Sequence, residues 1–334
     1  MPIIIDSAYP FTTRCKEDSM TYDITALGDI LIDFSPMGVD EAGDPVFVRK
    51  AGGAPLNLLA TVAKFGGKTA FIGKVGEDMF GRYLAQVLRD NGIDDRALVL
   101  DPAHNTTLAF VQLDASGDRD FDFCRKTGAD TYLDVSDVDE ELIRQSRIFH
   151  FGSLSFTAET ARRASLHALT IARDAGCVIT YDPNYRAPLW DSEDTAIRWM
   201  REGISAADLV KVSREEAQMI AGEEDVQECI HHILSLGVTA VLVTDGANGI
   251  NYGIGDCRGF IPAVPVRAVD TTGAGDIFFG TFLTCFLRGG ADLHALTEEQ
   301  VRKYIEKAAQ IAAESTKLRG AIASIPEFGE DVHK

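Results

Sequence analysis

The sequence lacks the features that mark disulfide-stabilised, zinc-binding and membrane-spanning proteins. Its six cysteines are far apart, and none belongs to a C-x-x-C pair, so neither a disulfide framework nor a zinc site is predicted. No apolar run approaches the roughly 18 residues of a membrane span, and the apolar residues 3–5 are too few for the core of a signal peptide. These absences predict a cytoplasmic protein without a membrane partner.

Basic residues are also scarce, because 32 Lys and Arg face 51 Asp and Glu and the net charge is −19. This balance disfavours nucleic acid and anionic membrane surfaces as partners, and no extended basic run offsets it. An anionic substrate such as ATP would need a local basic patch or a bound metal. The 334 residues, 46% of them hydrophobic, suit one large α/β domain with a smaller segment extending from it, or two domains.

The most informative stretch is residues 269–276, Val-Asp-Thr-Thr-Gly-Ala-Gly-Asp, which precedes the apolar residues 277–283. The pattern predicts a loop that leads into a buried helix, with Gly273 and Gly275 free to adopt positive φ and to admit a ligand. Unpaired amides and the dipole at a helix N-terminus hold anions, and Asp276 beside them suits a proton acceptor. The stretch indicates phosphoryl transfer to an alcohol; a tight turn with an acidic first helical turn explains these residues equally well on their own.

Residues 52–57, Gly-Gly-Ala-Pro-Leu-Asn, form a second glycine turn, which is expected to open a helix. The bare backbone of Gly52 and Gly53 and the amide of Asn57 suit a sugar-binding turn, and close packing under a neighbouring strand is the alternative. Neither the phosphate-binding G-x-x-x-x-G-K pattern nor the dinucleotide-binding G-x-G-x-x-G pattern is present.

Two acids interrupt the apolar residues 22–34, which predict one buried strand. A carboxylate at the end of a buried strand must be paired or must face a polar ligand. Because an ionised carboxylate only accepts hydrogen bonds, sugar hydroxyls are suitable donors to Asp33, and less clearly to Asp29.

Strands and helices alternate from residue 145 onward, which predicts a parallel sheet wrapped by helices. Ligands of such sheets bind beyond the carboxyl ends of the strands, where Asp182, Ser213 and Thr244 fall. Residues 35–50 and 106–124 are instead rich in short strands and turns and predict a small sheet over the mouth of the main domain. The predicted strands of the main domain are 147–152, 177–182, 208–212, 239–244 and 250–253.

Residues 52–57 and 270–276 resemble, in this order, the two signatures of the ribokinase-like (PfkB) sugar kinases, and the likeness extends over about residues 22–326. Within that family, residues 28–34 and 181–190 are most similar to fructokinases, although this chain has Gly-Asp where fructokinases usually have Gly-Glu. The resemblance implies an α/β three-layer sandwich with a mainly parallel central sheet and a small β-sheet lid. The implied boundaries are a loosely ordered tail (1–20), a kinase domain (21–34, 51–105 and 128–330) and a lid (35–50 and 106–127).

The resemblance implies an ATP-dependent kinase that phosphorylates fructose at its 6-hydroxyl, with Mg²⁺ and, as in many family members, K⁺. Because two-stranded flaps are marginal alone, a homodimer paired through the lid is expected. A kinase for a sugar acid, such as 2-keto-3-deoxygluconate or 5-dehydro-2-deoxygluconate, is the alternative, and a non-catalytic sugar or nucleotide sensor is a third.

The resemblance also implies roles for single residues. Asp276 would be the base, Gly273, Ala274 and Gly275 would supply the anion hole, and Arg186 would face the phosphates. The sugar would be held by Asp33, Gly52, Gly53, Asn57, Arg125 and Asp29.

The remaining implied roles concern the nucleotide and the metals. Ser213 stands where the family's N-x-x-E motif has Asn, and this difference argues against a direct role for position 213. The implied ATP ligands are Asn184, Ser213, Thr244, Gly246 and Gly249. The implied metal residues are Glu216 and Asp182 for Mg²⁺ through water, and Asp270, Thr272, Ser315, Gly320 and Ser324 for a monovalent cation.

Overall fold

Two β-sheets carry the fold in the computed structural model, which describes residues 21–113, 119–255 and 257–329. The predicted tail, residues 1–20, lies outside the described residues. The strands in chain order are β1 Tyr22–Leu27, β2 Leu31–Val39, β3 Pro45–Gly52, β4 Thr69–Gly76, β5 Ile93–Asp101, β6 Leu108–Leu113, β7 Arg119–Cys124, β8 Ser146–Gly152, β9 Val178–Asp182, β10 Leu209–Ser213, β11 Ala240–Thr244, β12 Ile250–Ile254 and β13 Cys257–Ile261.

The large sheet has nine strands in the order β13-β12-β11-β10-β9-β8-β1-β4-β5. Its pairs from β11 to β5 are parallel, whereas β12 and β13 pair antiparallel at one edge. Residues alternate between its two faces: on β11, for example, Ala240 and Leu242 join one buried cluster, and Val241 and Val243 join the other. The sheet is therefore covered on both sides.

Helices form the two outer layers of a three-layer sandwich. Side chains of α1, α2, α8 and α9 pack in the cluster on one face of the sheet, and those of α3 to α7 pack in the cluster on the other face. The helices are α1 Ala54–Lys64, α2 Met79–Asp90, α3 Glu140–Arg144, α4 Glu159–Ala175, α5 Glu193–Ser205, α6 Arg214–Ala221, α7 Val226–Ser235, α8 Ala274–Arg288 and α9 Glu298–Ser315.

The fold prediction is confirmed, including the five strands expected after residue 145. The single strand expected over residues 22–34 is wrong. Gly28, Asp29 and Ile30 separate β1 from β2, and the two strands belong to different sheets. The apolar pattern runs on without a break because Ile30 is buried as well, so the pattern does not show where the chain leaves the large sheet.

The small sheet has four strands in the order β3-β2-β6-β7. Its β6 and β7 form the expected antiparallel hairpin, whose connecting residues 114–118 lie outside the described part of the chain. Phe34 on β2 stacks on Phe110 of β6 and meets Phe80 of α2 edge to face. The stack lies within the small sheet, and the contact with Phe80 attaches that sheet to the main domain.

No helix in the described parts of the chain is long and apolar enough to cross a membrane.

Candidate active site

The loop-to-helix transition expected before Asp276 is present, because α8 begins at Ala274 directly after Gly273. Gly273 has φ +74°, in the left-handed region that favours glycine. A Cβ atom on Gly273 would also lie 2.4 Å from the Cβ of Ala321. The turn therefore needs glycine at position 273 for its backbone conformation and for its packing.

The role expected for Gly275 is only partly correct. Its φ is not in the left-handed region, and what a Cβ there would meet is the ammonium of Lys211, at 3.0 Å. Among the described residues, the amides of Gly275 and Asp276 have no backbone acceptor, as expected at a helix N-terminus, whereas the Ala274 amide donates to the Thr271 carbonyl oxygen at 3.2 Å. Two free amides thus remain in the first turn.

Asp276 lies in this first turn and is only partly exposed. Its Oδ2 accepts a hydrogen bond from Nδ2 of Asn57 at 2.8 Å, which joins the α8 turn to α1. Burial, with the nearby charge of Asp182, raises the pKa of Asp276 to about 7, although Lys211, Asn57 and Arg186 act in the opposite direction. A carboxyl group with this pKa is ionised to a useful extent at neutral pH and is also basic enough to accept a proton.

A buried ion pair lies beside Asp276 and joins the carboxyl end of β9 to the middle of β10. Lys211 Nζ donates to Oδ2 of Asp182 at 2.9 Å, and both side chains are buried. Glu216, in the first turn of α6, is buried beside them, and burial followed by the charge of Asp182 raises its pKa. Three carboxyl groups and one ammonium therefore share this edge of the sheet.

Glu216 also ties two loops together. Its Oε2 accepts the Ser213 amide at 2.7 Å, while Ser213 Oγ accepts the Glu216 amide at 3.1 Å, which forms a capping box for α6. Its Oε1 accepts the Tyr185 amide at 2.7 Å. The structure thus gives Ser213 a capping contact and places Glu216 under the loop that follows β9.

That loop carries Asn184 and Arg186. Asn184 has φ +47°, and its amide donates to Oδ1 of Asp182 at 3.2 Å. The charge of Arg186 lowers the pKa values of both Asp276 and Asp29, so the guanidinium is close enough to act electrostatically on both carboxyl groups. Both residues are partly exposed at the edge of the site.

The predicted sugar-side residues meet where β2, β3 and α1 join. A Cβ on Gly52 would lie 2.2 Å from Oδ2 of Asp33, so the Asp33 carboxylate rests on bare backbone. Gly53 has φ +115° and precedes α1, and a Cβ there would lie 2.5 Å from the Asp29 carbonyl oxygen. Asn57 Oδ1 is buried with no hydrogen-bond partner in the described structure, so it can accept a hydrogen bond from a ligand hydroxyl.

Arg125 follows β7, but it does not extend freely from the flap. Its guanidinium is buried and donates through Nε to Asp130 at 2.7 Å, through one terminal nitrogen to Thr157 at 2.7 Å and through the other to the Leu154 carbonyl at 3.0 Å. Two of its five N–H groups are left for a ligand. Burial raises the pKa of Asp29, and the charge of Arg125 lowers it, which places Asp29 near this cation.

The predicted ATP ligands Thr244, Gly246 and Gly249 lie at the end of β11 and in the turn after it. The Thr244 hydroxyl donates to the Val212 carbonyl at 3.3 Å, and Gly246 is exposed. Gly249 is buried at φ +111°, and a Cβ there would lie 2.5 Å from the Ile261 carbonyl oxygen. Gly249 therefore packs against β13, while Thr244 and Gly246 border the open edge.

The residues predicted for a monovalent cation surround the loop before α8. Asp270 accepts the Thr272 amide at 2.8 Å and the Gly320 amide at 3.0 Å, so its carboxylate links this loop to the C-terminal segment. Ser315 and Ser324 are buried, and their hydroxyls donate to backbone carbonyls of their own segments. All of these groups offer oxygen atoms, which suits a hard cation.

A divalent metal has no ready-made cage here. The described residues contain no group of three or more Asp, Glu, His or Cys side chains placed to hold a metal ion. Asp182 and Glu216 nevertheless supply buried carboxylate oxygens close to each other, where β9 ends and α6 begins. This donor set fits Mg²⁺, which binds through one or two carboxylates together with water and substrate phosphates.

Three charged residues of the site were not predicted from the sequence: Lys211, Asp130 and Lys50. Lys211 is the one charge in an otherwise apolar strand, and that was a usable signal because a buried ammonium must be paired. Lys50 of β3 lies opposite Asp33 of β2 in the strand register. Its Nζ would lie 3.5 Å from a Cβ on Gly320. It has no hydrogen-bond or ion-pair partner among the described residues.

The sequence profile of the pfkB family carbohydrate kinases matches residues 21–327. The chain belongs to this family. The Fructokinase-1 of Oryza sativa subsp. japonica is 40% identical over 306 residues, which cover 91% of this chain and 94% of that protein.

Solved structures of carbohydrate kinases share the fold of this PfkB-family chain. A fructokinase with bound ATP from Xylella fastidiosa superposes with a TM-score of 0.84 at 30% identity, covering 91% of this chain and 95% of that one. A double mutant of the Vibrio cholerae O395 fructokinase, in its fructose, ADP and potassium ion bound form, has a TM-score of 0.83 at 29% identity and covers 92% of this chain and 96% of that one. The chain is an ATP-dependent sugar kinase with the ribokinase-like fold.

Proposed function

We propose that this PfkB-family kinase transfers the γ-phosphoryl group of ATP to the 6-hydroxyl of fructose, with Asp276 as the base. The observation that carries the proposal is the α8 turn. It places a carboxyl group with a pKa of about 7 beside two unpaired amides. Fructokinases of Oryza sativa, Xylella fastidiosa and Vibrio cholerae support fructose as the acceptor.

In the proposed reaction the ionised Asp276 accepts the proton of the sugar hydroxyl. The hydroxyl oxygen bonds to the γ-phosphorus as the bond to the β,γ-bridging oxygen breaks, which yields fructose 6-phosphate and ADP. The amides of Gly275 and Asp276 stabilise the negative charge on the transferring group. Asn57 holds the Asp276 carboxylate by its 2.8 Å hydrogen bond. Because Asn57 also binds the sugar in this proposal, the base is held close to the acceptor hydroxyl.

The sugar is proposed to bind between the small sheet and α1. Asp33, resting on Gly52, accepts hydrogen bonds from hydroxyls, and the free Oδ1 of Asn57 accepts another. The bare turn at Gly53 admits the sugar close to the backbone. Arg125 contributes its two remaining N–H groups, and Asp29 orients it electrostatically.

The nucleotide is proposed to bind along the carboxyl ends of β9, β10 and β11. Asn184 and Arg186 face its phosphates, Thr244 and Gly246 border the nucleotide, and Gly249 shapes the turn. Asp182 and Glu216 would hold Mg²⁺ through water, and the bound ion would supply positive charge against the phosphates. We place a monovalent cation, K⁺, at the Asp270 loop with Thr272, Ser315, Gly320 and Ser324, as supported by the potassium ion of the Vibrio cholerae fructokinase.

The small sheet is proposed to act as a lid over the sugar, with residues 35–50 and 106–127 as its main part. A lid excludes water, which competes with the sugar as an acceptor. Five apolar side chains of its β2–β3 hairpin are exposed, and we propose that they pair with a second copy in a homodimer: Met37, Val39, Val46, Phe47 and Val48. We also propose a cytoplasmic location, where ATP and sugar are both available.

The test is ADP release from purified protein with ATP, Mg²⁺ and a panel of sugars, measured with and without K⁺. We expect the highest kcat/KM with fructose, and a gain on adding K⁺. The panel includes 2-keto-3-deoxygluconate and 5-dehydro-2-deoxygluconate, because Lys50, unpaired among the described residues, offers a cation on the same face of the lid as Asp33. Preference for either acid would overturn fructose as the substrate, and binding of sugar and ATP without any ADP release would indicate a sensor.

A further inference from the structure

Lys211 is a buried cation that the proposed reaction does not yet use. It is the central residue of β10 and is only 7% exposed. The removal of an ammonium from water is strongly unfavourable unless nearby charges compensate. Asp182 supplies one such charge through the 2.9 Å hydrogen bond. One ion pair accounts for how the charge is tolerated, but it does not explain why the lysine lies at this edge of the sheet.

The Lys211 ammonium also abuts the first turn of α8. A Cβ on Gly275 would lie 3.0 Å from Nζ and 3.6 Å from Cε. Because the φ of Gly275 is not left-handed, its backbone does not require glycine. The absence of a side chain at position 275 instead lets the ammonium reach the helix N-terminus.

A cation beside a helix N-terminus is unfavourable on its own, because the dipole already places partial positive charge there. The arrangement becomes favourable when an anion lies between the ammonium and the free amides of Gly275 and Asp276. We propose that Lys211 is a catalytic residue whose ammonium binds phosphoryl oxygens of ATP together with these two amides. This inference rests on the proposed kinase function and adds a side-chain cation to the anion hole.

The charges around Lys211 agree with this role. Its ammonium interacts with Asp182, Glu216 and Asp276, so a polyphosphate would otherwise enter a site dominated by carboxylates. Lys211 forms no covalent bond in the step. It opposes the negative charge that moves from the transferring phosphoryl group toward ADP as the bond to the leaving oxygen breaks.

The test compares Lys211→Met with the control Lys74→Met. Lys74 is also largely buried and ion-paired, with Asp137 at 2.6 Å, but it lies outside the site. We measure kcat with ATP and fructose, and the affinity for ADP with and without aluminium fluoride, a mimic of the transferring phosphoryl group, in the presence of fructose. A merely structural ion pair would not affect the fluoride-dependent gain in affinity.

We expect Lys211→Met to lower kcat by about a hundredfold or more and to abolish the fluoride-dependent gain in affinity, with ADP affinity retained within a few-fold. Lys74→Met should keep both wild-type values. If Lys211→Met does not fold, Gly275→Ala gives a second test, because its Cβ would lie 3.0 Å from Nζ and crowd the ammonium at the α8 turn while residue 211 remains a lysine. We expect it to lower kcat at least tenfold.

A wild-type kcat or a wild-type fluoride effect in Lys211→Met, or an unchanged kcat in Gly275→Ala, would overturn the inference. The wild-type protein separates this failure from that of the proposed function. If it phosphorylates no sugar in the panel, the proposed function itself fails. If it is active and the variants are equally active, only the assignment of Lys211 fails.

Discussion

At the scale of single residues, the proposed reaction depends on one carboxyl group whose environment makes it basic. Asp276 owes its pKa of about 7 to burial and to Asp182, which is 94 residues away in the chain. The sequence alone was enough to single out Asp276 as a candidate base, because of its carboxyl group and its glycine neighbours. The size of the pKa shift could not, because it depends on side chains that only the fold brings together.

The pH dependence of turnover follows from this pKa. Because the base must be ionised, we expect kcat/KM for fructose to rise about tenfold per pH unit below pH 7 and to level off above it. The measurement is kcat/KM from pH 5.5 to 8.5 at saturating ATP. A rate that stays constant down to pH 5.5 would contradict Asp276 as the base.

The same shift affects stability with the opposite sign. A carboxyl group whose pKa rises from 3.8 to about 7 on folding binds its proton more tightly in the folded state, so the folded state loses stability as the pH rises from about 4 to about 7. The amide introduced by Asp276→Asn is neutral at every pH. We therefore expect this variant to melt at a higher temperature than wild type at pH 8, with a smaller difference at pH 5. A variant less stable than wild type at pH 8 would contradict this environment.

At the scale of elements, the start of α8 sets the site. The glycine pattern predicted the loop and the helix correctly, because positive φ and a bare backbone leave a clear signature. What a Cβ at position 273 or 275 would touch was not predictable, since Ala321 and Lys211 come from distant segments. The break between β1 and β2 was missed because buried residues continue across it.

Gly273→Ala tests this element against a matched glycine. Gly222, at the end of α6, has nearly the same φ of +75°, but nothing lies within 4 Å of its Cβ position. Both alanine variants carry backbone strain of about 1–3 kcal/mol, and only Gly273→Ala also meets Ala321. We expect Gly273→Ala to unfold at a lower denaturant concentration than Gly222→Ala and to lose most turnover, while Gly222→Ala keeps wild-type kcat. Equal stability and activity of the two variants would rule out the steric account.

The apolar hairpin of the lid carries the prediction about assembly. We expect the wild type to be a dimer and Phe47→Ser combined with Val39→Ser to be a monomer, because both apolar side chains are exposed on the hairpin. Leu318→Ser, at a residue 58% exposed elsewhere, is the control and should remain dimeric. Sedimentation velocity measures the mass, and an unchanged mass of the double variant would place the interface elsewhere.

At the scale of the whole molecule, the fold places scarce positive charge where we propose that the phosphates of ATP bind. The chain carries a net charge of −19, yet Lys211 lies next to the N-terminus of α8, and the charge of Arg186 also acts on Asp276. The alternation of strands and helices predicted the edge of the sheet at which Asp182, Ser213 and Thr244 lie. The alternation did not predict that Lys211 of β10 would lie beside the α8 turn. A strand pattern indicates which face of the sheet a side chain is on, but not which residues of other elements it contacts.

The measurement that tests the central claim most directly is ADP formation by wild type and Asp276→Asn with fructose, ATP and Mg²⁺, together with ADP binding to both proteins. We predict that the variant loses turnover by about a hundredfold or more and binds ADP within a few-fold of wild type. A variant that binds ADP and still turns over within tenfold of wild type would show that the base lies elsewhere.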